Sequence, residues 1–71
     1  MDRATHLQWA KERAMVLVNR GQLAEAWAQL SEDMATHAEL ANHKAVEQIA
    51  RLLLAGRMSL ALMRQSIEAI R

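Results

Sequence analysis

A chain of 71 residues with a formal net charge of +1 and no cysteine is limited to one domain. It can hold no disulfide or thiolate zinc site, and it lacks the field that would steer nucleic acid or an acidic membrane surface. Its 52% hydrophobic content, rich in alanine and leucine, with no proline, excludes a disordered tail and points to packed helices.

A first helix is predicted over residues 2–20. Asp2 can cap it, while Thr5 with Gln8 has capping-box spacing and is a competing start. Leu7, Ala10, Ala14, Leu17 and Val18 share one face, with Lys11, Glu12 and Arg13 in the middle of the polar face. Gly21 and Gly56 each lie where an apolar period ends, so both are read as helix stops in the left-handed conformation.

A second helix is predicted over residues 22–36, because Leu23, Trp27, Leu30 and Met34 repeat at i, i+4, i+7 and i+11. Ala24, Ala28 and Ala35 widen that stripe with small side chains, and Glu25, Glu32 and Asp33 face out. Residues 37–41 read as a loop. Asn42 is expected to cap a third helix over 43–55, with Val46, Ile49, Leu52 and Leu53 inward. Ser59 is expected to cap a fourth over 60–70, with Leu60, Met63, Ile67 and Ile70 inward. The tight turn at Gly21 makes the first two helices an antiparallel hairpin, and the last two form a second. The expected fold is an all-α, single-domain bundle of four helices spanning 1–71. A domain this small buries little of its surface, so a dimer would add stability.

Little in this pattern carries chemistry. His37 and His43 flank the loop with Glu39 between them, a set that could suit zinc. Their spacing matches no strong metal motif, and the simpler reading has these histidines bonding exposed backbone at loop and helix ends. No nucleophile stands beside a base, and there is no glycine-rich phosphate loop, so neither an enzyme nor a cofactor is expected. The third and fourth helices could pose as a helix-turn-helix. A recognition helix, however, carries Arg, Lys, Asn or Gln near its start, and this one opens with Leu60, Ala61, Leu62 and Met63. A DNA-binding or regulatory role is therefore the alternative reading.

Protein binding has positive support. Trp9 and Val16 stack on a face of the first helix, beside Met15, that is not the face of Leu7 and Ala14. Arg13 and Arg20 lie near it, and Leu54 and Leu62 fall off the stripes of their own helices. Large apolar residues grouped outside the core suggest an interface, and Trp and Arg are frequent interface anchors. The expected contact residues are therefore Trp9, Arg13, Val16, Arg20, Leu54 and Leu62. Two other readings stay open: the first helix is central and buries both faces, or the extra face makes a homodimer. No apolar run approaches the ~20 residues of a membrane span, and residues 1–6 lack a signal-peptide core, so a cytoplasmic location without membrane contact is expected.

Two resemblances add to this. The segment from Asn19 to Ala26, with Gly21 and Ala26 five apart, resembles the turn and second helix of a tetratricopeptide repeat, but no second copy follows. More broadly, the chain resembles a group of short, uncharacterised tailed-bacteriophage proteins. The pattern is carried by His6-Leu7-Gln8-Trp9, Lys11-Glu12-Arg13-Ala14, Gly21-Gln22-Leu23 with Ala26, Ser31, Asp33-Met34, His37, His43, Gly56-Arg57-Met58-Ser59 and Met63-Arg64. Ala38 departs from it, standing where the group often has proline, and the segment after Ser59 is shorter by a residue or so. The resemblance implies a phage origin, in the host cytoplasm, and carries no activity with it. Docking on a host protein, including an anti-CRISPR or other anti-defence role by surface occlusion, is the expectation it raises.

Overall fold

The computed structural model describes residues 2–71, and its regular structure is entirely helical: α1 (Arg3–Asn19), α2 (Leu23–Ala35), α3 (Lys44–Leu54) and α4 (Leu60–Glu68). Met1, the first residue of the expected domain, lies outside the described residues.

Local chemistry accounts for the ends. The Asp2 carboxylate accepts from the Thr5 amide at 2.7 Å, and Ser59 Oγ accepts from the Leu62 amide at 3.1 Å. Each satisfies an orphan donor of its first turn. The same geometry closes α1 and α3. Gly21 N–H donates to the Val18 carbonyl and Gln22 N–H to Leu17; Gly56 N–H donates to Leu53 and Arg57 N–H to Leu52. Both glycines have φ near +70° (76° and 69°), and a Cβ on either would meet nothing within 4 Å. Glycine is required there for backbone conformation, not for space.

α1 and α2 form the expected antiparallel hairpin and share the broadest contact in the molecule. α4 then packs on α1 and α3 on α2, while α3 and α4 share a smaller contact with each other. The core is built from Leu7, Ala10, Ala14 and Val18 of α1, Ala26, Leu30 and Met34 of α2, Ile49 of α3, and Met63 and Ile67 of α4. Leu40, in the connection between α2 and α3, is also buried. Polar ties fix the outer helices. Trp27 Nε1 donates to the Val46 carbonyl at 2.8 Å, joining α2 to α3. Lys11 Nζ donates to the Glu68 and Ile70 carbonyls, both at 3.0 Å, placing a cation on the orphan carbonyls at the end of α4.

Four expectations are corrected. Asp33 does not face out: it is 5% exposed, because it continues the inward period of Ala26 and Leu30. Ala24, Ala28 and Ala35 are exposed, and Ala26 is the small residue that lets α1 approach. The cap of α3 is His43, whose Nδ1 accepts from the Ala45 amide at 3.1 Å; Asn42 instead takes φ +63°, a left-handed turn its short polar side chain tolerates. Finally, α4 stops at Glu68, and Ile70 is buried from beyond it, while Leu60 at its start is 42% exposed.

Candidate interaction surface

Trp9, Arg13 and Val16 of α1, with Arg20 at its C-cap, recur at helical spacing and make one stripe. α4 covers the edge of α1 that carries Lys11 and Asn19, the latter accepting from Arg64 at 2.9 Å. α2 covers the opposite edge, at His6 and Arg13. The stripe between them is left on the outside. Val16 is 51% exposed, Arg20 is exposed, and Trp9 is half-buried against the margin of the core. Trp9 is thus partly packed on the core and partly on the surface.

A polar cluster at the α1–α2 seam orders this stripe. Arg13 Nε lies 2.8 Å from Asp33 Oδ2, although no N–H points along that line, so the contact is a charge pair and not a directed hydrogen bond. Asp33 Oδ1 accepts from Gln29 Nε2 at 2.9 Å. Burying a carboxylate is costly unless a counter-charge and hydrogen bonds offset it; Arg13 and Gln29 supply both. The Arg13 side chain is 48% exposed, so solvent screens the pair and its net stabilisation is modest.

The backbone of Asp33 is also engaged. Its carbonyl falls in the last turn of α2, where intrahelical donors run out. His6 Nε2 lies 2.6 Å from it and Thr36 Oγ1 donates to it at 2.7 Å. A carbonyl only accepts, so the His6 proton sits on Nε2. The His6 ring in turn lies 5.1 Å from Trp9 and 5.2 Å from His37. The Arg13 guanidinium carbon is 4.8 Å from the Trp9 ring centroid, a cation–π contact. Arg13 is therefore held on three sides by Asp33, Trp9 and its own helix. Its two terminal nitrogens have no ion-pair partner among the described residues, and the side chain is 48% exposed.

Other expected contact residues lie elsewhere. Leu54, 89% exposed, ends α3, and half-buried Leu62 sits in the first turn of α4. Both belong to the α3–α4 corner and not to the α1 stripe. The candidate metal ligands are dispersed in backbone contacts. His37 Nδ1 accepts from the Glu39 amide at 3.2 Å, and His43 holds its cap while its Nε2 donates to the Arg71 carbonyl at 3.0 Å. Among the described residues no three His, Asp or Glu side chains group as a metal site, and no helix is long and apolar enough to cross a membrane.

His6, Gln29, Asp33 and Thr36 were not expected at the site. One signal was available for Asp33: it falls at i+7 from Ala26 and i+3 from Leu30, an inward position whatever its charge.

The class these observations define is a small all-α bundle of four helices. No protein family, curated protein or solved structure matches the chain.

Proposed function

We propose that this protein is a binding module that acts through the outer stripe of α1, by occluding a surface of another protein and not by catalysis. The observation that carries the reading is Arg13, stacked on Trp9 and paired with buried Asp33, its side chain still 48% exposed, one turn from exposed Val16. An arginine ordered before contact loses less side-chain entropy on binding, and an Arg–Trp pair next to an apolar residue has the make-up of an interface anchor. The resemblance to small tailed-phage proteins supports a host protein as the target, in the host cytoplasm, with anti-CRISPR or other anti-defence inhibition as the role. The DNA-binding alternative gains nothing from α4, where Arg64 is tied to Asn19.

The test is affinity capture from host lysate with the wild type and with Val16→Asp. Val16 has half its surface in water, so this variant should keep its helical circular dichroism and lose the captured protein. Equal capture by a folded Val16→Asp variant rejects the stripe as the docking site.

A further inference from the structure

The α1–α2 hairpin has an outer side that neither α3 nor α4 covers, and two stripes of opposite charge run along it. Along α1 and its C-cap stand Arg13 and Arg20, seven residues apart, with Val16 between them and Trp9 one turn before. On α2 stand Glu25 and Glu32, also seven apart, with Ala28 between them. Arg13, Arg20, Glu25, Ala28 and Glu32 are all exposed. Among the described residues Arg20, Glu25 and Glu32 have no ion-pair partner, and Arg13 meets Asp33 through Nε alone.

We infer that this face docks on the same face of a second copy, about a two-fold axis parallel to the hairpin, so that α1 of each copy lies over α2 of the other. The register supports it. His6 and Thr36, fifteen residues either side of Gly21, touch at 3.0 Å, so residues equidistant from the turn share a level. By that ruler Glu25 is level with Leu17 and Glu32 with Ala10. Helix side chains lean toward their N-terminus, which carries Arg20 back toward the level of Leu17 and Arg13 toward that of Ala10. Both arginines therefore reach a glutamate of the second copy in one and the same register, and the two-fold axis repeats both pairs. Ala28 is level with Ala14, between Trp9 and Val16, and its small side chain leaves room for them. Pairing α1 with α1 would instead set arginines against arginines.

Size sets the strength. The two larger dimensions of the molecule, 33 and 21 Å, bound the face at about 700 Å² per copy, under the ~800 Å² per partner of a standard interface. Exposed ion pairs add little each. The dimer is thus reversible, with dissociation at micromolar or higher concentration. It covers Trp9 and Val16, so self-association and host docking exclude each other. That consequence rests on the docking role proposed for the stripe; the dimer itself does not.

Sedimentation velocity over a concentration series tests this, with Arg20→Glu and Glu25→Arg as variants and circular dichroism as the control for folding. The wild type should dimerise as concentration rises. Each single variant should raise the apparent Kd roughly tenfold or more, because symmetry applies each like-charge contact twice. An equimolar mixture of the two variants should dimerise again, since every contact in the mixed pair is complementary. A wild type that stays monomeric, singles that dimerise normally, or a mixture that stays monomeric overturns the inference. Host capture and its loss in Val16→Asp are read in a separate assay, so either idea can fail alone.

Discussion

The two halves of the bundle are held together differently. In the α1–α2 hairpin an apolar seam and a polar cluster act on the same contact: Leu30 and Val18 are fully buried, and His6, Arg13, Gln29 and Thr36 converge on Asp33. α3 and α4 share a smaller contact, and polar ties attach each to the hairpin: Trp27 to Val46 for α3, and Lys11 to the end of α4 with Arg64 to Asn19 for α4. Exposed Leu54 and Leu60 lie on that second side. The hairpin is therefore the frame of the bundle, and it also carries the stripe proposed for binding. A binding surface on the most tightly determined element needs little reordering when a partner arrives.

The sharpest way to break the comparison is a pair of leucine truncations. Leu30→Ala should cost ~2–5 kcal/mol by urea unfolding, from lost burial and the cavity left behind. Leu54→Ala should stay within about 0.5 kcal/mol. Comparable losses would show that the two sides are not distinct.

Next in size is Arg13. Arg13→Ala leaves Asp33 buried without its counter-charge, a loss of ~3–5 kcal/mol for a fully buried pair; with Arg13 half in water, about 1–2 kcal/mol is expected. Adding Asp33→Leu should recover most of that loss, because an apolar side chain needs no counter-charge. Arg13→Glu would set two carboxylates together and mix folding with binding, so Val16 and Arg20 are the cleaner probes of the surface.

The helix ends give smaller effects. Gly21→Ala and Gly56→Ala should each cost ~1 kcal/mol, since only the left-handed backbone is strained and no clash is added. Ser59→Ala should cost about as much through the lost cap of α4. A much larger loss at Gly21 than at Gly56 would mean the frame amplifies strain that the second side absorbs.

The smallest effect is at Asp2. The Thr5 amide and hydroxyl hold its carboxyl below the usual value of 3.8. A depressed folded pKa stabilises above the unfolded value, and the contribution is lost as pH falls through the folded one. Asp2→Asn should match the wild type near neutrality and show a slightly shallower loss of stability below about pH 4 in acid titration. Identical acid profiles would remove the cap's titration from the account.

Much of the fold was legible before any coordinates. Two glycines at the ends of apolar periods, Asp2 and Ser59 as caps, and the stripe of Leu23, Trp27, Leu30 and Met34 specify four helices by local physics alone. The stripe of Trp9, Arg13, Val16 and Arg20 was legible too, because its spacing is a property of one helix. The polar cluster was not. Reading Asp33 by its charge put it in solvent, whereas its environment depends on whether a cation from another helix can reach it. One cap also differed: Asn42 takes the left-handed turn, which leaves His43 Nδ1 to accept from the Ala45 amide at the start of α3.

What the amino-acid sequence determined by itself is therefore the set of helices, the two glycine stops and the main apolar stripe of each helix, all consequences of neighbours within a turn or two. What only the tertiary structure decided is which faces meet. It brought Arg13 within 2.8 Å of Asp33, turned His6 onto the end of α2, and left Trp9 and Val16 on an uncovered side. Those outcomes depend on side chains that lie far apart along the chain. Their energies appear only once desolvation, charge pairing and packing are settled together.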